Sequence, residues 1–348
     1  MGRTERNILR TLLVPLYEVD QPLVLPDDVT DNQVLAVARH HRLSPALSVL
    51  AEGSVSPDLL ERFCRDRLVT LGRGTLLRHA LVEVVNALHA SGVKTIVLKG
   101  MAYEDLVYPI PGTRPATDVD ILVRRDCRDA TFQTFRSLGF QPVAAAPGFD
   151  ERDYHEISLR RGDVNLDLHF GLAPFVRGAV DYDALWADAV PLPMGGAPAF
   201  GLSRPHAALH QALHMAIHHF DVPGIYLLDL ARLTTAPEIA GQATQAARQW
   251  RCLRAWETGA RLAAAFIPAA ASWLLPAGPA SSPRIDRVIQ SYGRLAALPR
   301  AEQLRRKLEH FDSAADAARY LAVQGRRILR EKLIQLTGEP SAAERLGW

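Results

Sequence analysis

The chain has 348 residues, a length that predicts two domains or one domain with large helical additions, and it carries enough material for a sizeable core. Forty lysines and arginines against 38 aspartates and glutamates leave a formal net charge of +2, which offers no global electrostatic case for nucleic acid or an anionic membrane. With 48% apolar and 22% charged residues, intrinsic disorder, collagen-like repeats and a multi-span membrane protein are excluded.

The opening MGRTERNILRTLLVPLYEVD lacks a long apolar region and a small-residue cleavage site, so no secretion signal is expected. From about residue 31 to 91 apolar positions recur with helical spacing, among them Leu35, Leu43, Leu47, Leu59, Phe63 and Leu71, and Gly72 and Gly74 are placed to kink or divide the run. Leu77, Leu81, Val84, Val85 and Leu88 continue one stripe to a stop at Ser91-Gly92. Thr95–Leu98 is a short β-branched run, read as a buried strand that leads through Lys99-Gly100 into a helix near Met101. After the turn-rich Tyr108–Gly112, a second strand is expected over Ala116–Val123 and a helix from about Asp126 to Leu138, ended by Gly139.

Next comes a hairpin, His155–Arg160 and Val164–Phe170, turning at Arg161-Gly162-Asp163. Alternation in its second strand sends Val164, Leu166, Leu168 and Phe170 to one face and Asn165, Asp167 and His169 to the other. From about Asp181 onward the pattern is helical. Between Arg261 and Arg284 no charge occurs, but Pro268, Pro276 and Pro279 break the run, which favours a buried helix and a proline-rich turn over a membrane span. Leu304–Leu336 reads as helical and basic, with Arg305, Arg306, Lys307, Arg326, Arg327, Arg330 and Lys332. Glu309, Asp312 and Glu331 are interleaved with them, so a solvated helix face explains the pattern, with an RNA- or partner-docking face as the alternative. Cys64, Cys127 and Cys252 are widely separated, odd in number and without CxxC spacing; neither a disulfide framework nor a cysteine zinc site follows, and a reducing cytoplasm fits.

The sharpest chemistry lies in three aspartates. Asp118 and Asp120 share one face of a strand at the period of two, their Cα atoms about 6.6 Å apart, and Asp167 lies on a later strand. Aspartate is depleted in strands, and Asp120 and Asp167 fall inside apolar runs where a carboxylate is costly without compensation. Three converging carboxylates are what a two-metal phosphoryl-transfer site requires. Solvated strand faces are the plainer reading.

LKGMAYEDLVYPIPGTRPATDVDILV, followed by NLDLHF, resembles the uncharacterised nucleotidyltransferase family of the polymerase β-like superfamily over about residues 93–175, with weaker similarity around HQALHMAIHHFDVPGIYLLDLARL. The resemblance implies an α+β fold: a small mixed sheet with flanking helices at 91–175, an N-terminal helical region at 1–90 and a C-terminal helical domain at 176–348. It implies two Mg2+ ions, or Mn2+ in their place, held by Asp118, Asp120 and Asp167, with Asp167 also the general base. The implied reaction moves a nucleoside monophosphate from a nucleoside triphosphate, ATP by expectation, to a hydroxyl or phosphate acceptor on a small molecule, peptide or protein. Alternatives of the same fold are a silent nucleotide-binding or scaffold subunit and an RNA-end nucleotidyltransferase.

Gly100 matches the superfamily's phosphate-contacting turn, where a glycine lets backbone approach and the following helix N-terminus offers free N–H groups. Many members carry serine where Met101 stands here, so Lys99 is expected to supply charge instead. Arg114, four residues before Asp118, is a candidate phosphate clamp through its planar fork. His206, His210, His214 and His218 advance about 40° per step on a helix. No glutamate occupies the base position of a zinc protease. Packing is the plainer account of this ladder; in a nucleotide or acceptor pocket His214 and His218 are the candidates, with Asp229 as partner and His169 orienting Asp167.

Overall fold

In the computed structural model, residues 1–18, 20–143, 156–173, 179–275, 282–293 and 299–337 are described, without the side chains at 300, 307, 324, 327, 328 and 330–337. His155, Pro276 and Pro279 lie outside the described residues, as do the side chains of Lys307, Arg327, Arg330 and Lys332.

Short strands build one mixed sheet: β1 (Thr95–Leu98), β2 (Val119–Leu122), β3 (Gln141–Pro142), β4 (Glu156–Arg161), β5 (Val164–His169), β6 (Val190–Pro191) and β7 (Ala199–Gly201), in the order β3-β4-β5-β2-β1-β7-β6. β1 and β2 are central and every residue in both is buried, which is why their sequences are almost continuously apolar. β2 runs antiparallel to β1 and parallel to β5, and β4 and β5 form the expected hairpin. β2 is shorter than the sequence suggests, so Asp118 precedes it rather than lying within it. The expectation of only helices after Asp181 is also corrected: β6 and β7 join the sheet, and β7 pairs in parallel with β1. Both are two or three residues long, too short to show a period.

The chain forms two compact units, each assembled from three segments. The sheet unit comprises Thr75–Ala102, Thr117–Leu202 and Phe311–Trp348. In it Phe132 and Phe135 of the Arg128–Ser137 helix are buried, as are Ile96 and Leu98 of β1 and Ile121 of β2. The helical unit comprises Met1–Gly74, Tyr103–Ala116 and Ser203–His310. Its first helix, Arg3–Tyr17, buries Ile8, Leu9, Leu12, Leu13 and Leu16 along one stripe. Small residues let the Arg204–Ile217 and Leu253–Phe266 helices approach closely; a Cβ on Gly259 would meet that of Ala212 at 3.2 Å.

Gly72 and Gly74 do not divide their run. One 34-residue helix, Pro57–Ala90, passes through both. The uncharged stretch becomes the end of the Leu253–Phe266 helix, a 3-10 turn at Pro268–Ala270 and a short helix at Ala271–Leu274. Among the described residues no helix is long and apolar enough to cross a membrane.

Candidate active site

Strand register, rather than sequence proximity, assembles the acidic cluster. Parallel pairing of β2 with β5 sets Asp120 opposite Asp167 and Leu122 opposite His169. Antiparallel pairing of β4 with β5 sets Ser158 opposite Asp167 and Glu156 opposite His169. Paired residues project to the same side of a sheet, so Asp120, Asp167, His169, Ser158 and Glu156 share one face. Asp118, two residues ahead of Asp120, is half-buried at the mouth of β2, and Thr117 Oγ1 donates to its Oδ1 at 3.2 Å.

At the end of β1 the chain turns through Lys99 into the Lys99–Val107 helix. Lys99 has φ +45°, a left-handed conformation that costs a residue with a Cβ roughly 1–2 kcal/mol. That turn belongs to Lys99 rather than to Gly100, which is buried. Met101 is buried in the core.

The Lys99 side chain, 13% exposed, reaches Asp120 and places Nζ 2.6 Å from its Oδ1. His169 Nε2 lies 2.9 Å from the same oxygen, and His169 Nδ1 is 3.5 Å from Glu156 Oε2. Burial opposes the charge on Lys99, but Asp120, Glu156 and Asp118 outweigh it and hold the ammonium above its ordinary pKa. Burial likewise opposes the Asp120 carboxylate, yet Lys99 and His169 hold its pKa well below the usual range. Asp167 moves the other way. Burial, with the nearby charges of Asp120 and Glu156, raises its pKa despite the hydroxyl of Ser158, which donates to its Oδ1 at 2.6 Å.

The donor chemistry suits a hard divalent cation: carboxylate oxygens, crowded enough that one is pushed towards protonation. Among the described residues, however, no three acidic, histidine or cysteine side chains already converge as a metal cage. The ammonium of Lys99 sits on Asp120 instead.

The remaining expected residues belong to the helical unit. Arg114 is buried, with Nη2 2.7 Å from Asp229 Oδ2 and Nη1 donating to the Pro115 carbonyl at 3.0 Å. Tyr108 donates its hydroxyl to Asp229 Oδ1 at 2.7 Å. The Arg114 fork is therefore committed to a carboxylate, and Asp229, expected to serve His214 and His218, is committed to Arg114 and Tyr108. His214 meets His218 edge-on at 4.8 Å between ring centres and Tyr226 at 5.3 Å. His206 stacks on Trp250 at 5.2 Å and His210 is buried, so these two rungs of the ladder lie in packing. His169 contacts Asp120 through Nε2, and its charge also acts on Asp167. Motif spacing does not single out Glu156 and Ser158; hairpin register opposite Asp167 and His169 is the pattern that reveals them.

The model of one protein family, described as an uncharacterised nucleotidyltransferase, matches residues 27–268. The chain belongs to that family. The match spans well over half of the chain and takes in β1, β2, β4, β5 and β7. Among curated proteins no sequence match is found. Among solved structures, this chain is similar to the crystal structure of ANT(2")-Ia in complex with adenylyl-2"-tobramycin, at 15% identity and a TM-score of 0.38, over 50% of this chain and 98% of that one. It is also similar to the solution structure of the antibiotic-resistance factor ANT(2'')-Ia, at 16% identity and a TM-score of 0.33, over 52% and 90%.

Proposed function

We propose that this nucleotidyltransferase moves a nucleoside monophosphate from a nucleoside triphosphate, ATP by expectation, to a hydroxyl or phosphate of an acceptor, with release of pyrophosphate. The observation that carries the reading is the register pairing of Asp120 with Asp167 on adjacent strands, with Asp118 at the mouth of β2. Asp118, Asp120 and Asp167 would hold divalent ions, Mg2+ or Mn2+, which supply neutralising charge to the triphosphate and acidify the acceptor hydroxyl.

The protein's own groups do the rest. Asp167 takes the acceptor proton, and the Ser158 hydroxyl, which donates to its Oδ1, fixes its rotamer. Lys99 and the backbone N–H groups at Gly100 and Met101, at the start of their helix, face the phosphates. Within the helical unit Arg114 is held by Asp229, and His214 packs against His218 and Tyr226.

The test is pyrophosphate release from each of the four nucleoside triphosphates with Mg2+, across acceptor panels of sugars, peptides and RNA ends. Asp118→Asn and Asp167→Asn should each lower turnover by on the order of 10³-fold while leaving the unfolding temperature nearly unchanged. Turnover near wild type in either variant would contradict the assignment. Nucleotide binding without turnover on any acceptor would point to the silent nucleotide-binding subunit, and acceptor binding steeply weakened by salt to an RNA end.

A further inference from the structure

We propose that Lys99 is a resident counter-ion of the acidic cluster, which holds Asp120 in the absence of nucleotide and must leave that carboxylate before a divalent ion can bind it. The inference rests on the metal-dependent reading above and adds an order of events: the ion enters with the triphosphate rather than ahead of it.

Three observations combine. The Lys99 ammonium is 2.6 Å from Asp120 Oδ1, and His169 Nε2 is 2.9 Å from the same atom, so two nitrogen groups already crowd that oxygen. Lys99 is the turn residue itself, held at φ +45°, so its position is set by a backbone conformation that costs free energy rather than by chance extension of a surface side chain. Asp118 and Glu156 also face its charge, which makes Lys99 the cation of the whole cluster rather than of one carboxylate.

A free divalent ion approaching this site meets an ammonium already within it, and the repulsion acts in a region largely closed to water. A triphosphate changes the balance by offering Lys99 new anionic partners. A lysine is suited to such an exchange because its charge rides on a flexible four-carbon stem with no fixed fork geometry. The ammonium leaves Asp120 Oδ1 for a phosphate oxygen, and the vacated oxygen becomes a ligand. No bond is made or broken covalently in the exchange.

The experiment is Mn2+ titration of the full-length protein followed by the electron paramagnetic resonance of free Mn2+, alone and with a non-hydrolysable α,β-methylene analogue of ATP. Wild type should bind Mn2+ weakly alone and more tightly with the analogue. Lys99→Met, which keeps the stem and removes the charge, should bind Mn2+ alone at least about tenfold more tightly than wild type and should bind the analogue more weakly. Lys99→Gln should behave likewise while keeping a donor for Asp120.

Mn2+ affinity unchanged or lowered in both variants, with analogue-dependent Mn2+ binding intact in wild type, would overturn the counter-ion role and leave the metal-dependent reading in place. No Mn2+ bound by any of the proteins, with or without the analogue, would overturn both. Should neither variant fold, acylation of Lys99 in wild type, read by peptide mass spectrometry, decides the matter: saturating Mn2+ must accelerate it, and an unchanged rate overturns the proposal.

Discussion

Asp229 shows how a residue's partners, rather than its type, settle its role. It is fully buried, yet it accepts from the Arg114 guanidinium at 2.7 Å and from the Tyr108 hydroxyl at 2.7 Å. Removing one member of a buried ion pair leaves the other charge uncompensated, which costs about 3–5 kcal/mol. Asp229→Ala should therefore destabilise the helical unit by about that amount in urea denaturation, and a loss under about 1 kcal/mol would contradict a structural role for the pair. The sequence singles out Arg114 because arginine ahead of paired aspartates suggests phosphate, but nothing in a linear pattern reveals that a carboxylate over a hundred positions later claims the same fork. The three aspartates are the opposite case. Their placement in and beside apolar runs marks them in the sequence itself, because a carboxylate in such a run is costly unless something compensates its charge. Glu156 and Ser158 carry no such mark, since both are common on an outward-facing strand.

At the scale of elements, β1 and the β4–β5 hairpin are legible because their periods and turn residues agree, and the observed bounds differ from the expected ones by a residue or so. β6 and β7 are not legible: two or three residues paired to a buried strand owe their structure to the partner, not to their own sequence. Gly72 and Gly74 mislead for a related reason. Each costs a helix about 1 kcal/mol relative to alanine, a sum that the rest of a 34-residue helix carries without breaking. One helix start depends on pH. Gly224 opens the Gly224–Leu233 helix and donates its N–H to Nδ1 of buried His41 at 3.0 Å, a bond that only the neutral ring can accept. Burial, with the charges of His40 and the N-terminus, lowers the His41 pKa to about 3. A depressed folded pKa means stability that is present above the unfolded value of about 6.5 and lost as pH falls, by about 2 kcal/mol for this group at about pH 5. Thermal unfolding from about pH 7.5 to about pH 5 should show that loss, and His41→Asn, whose amide oxygen can accept the same N–H, should flatten it. An identical slope in the variant would contradict the account.

Across the whole molecule, two units drawn from interleaved segments are what a reading along the chain is least equipped to see, because two of the boundaries, at Gly74 and Ala102, fall inside helices rather than in linkers. The α+β character follows more readily from the sequence, since strand, helix and hairpin patterns alternate through its middle third, and the mixed sheet is what the family resemblance implies. The near-neutral charge fits a candidate site whose electrostatics, among the described residues, are local: the Lys99 ammonium, the His169 imidazole and neighbouring carboxylates. The role proposed for Asp118, Asp120 and Asp167 is to bind a nucleoside triphosphate together with divalent ions. Calorimetric titration of the protein with each nucleoside triphosphate, in Mg2+ and in chelator, with Asp118→Asn alongside, tests it most directly. The account predicts binding that requires Mg2+ and weakens at least about tenfold in the variant; binding of equal strength in chelator, or in Asp118→Asn, would contradict it.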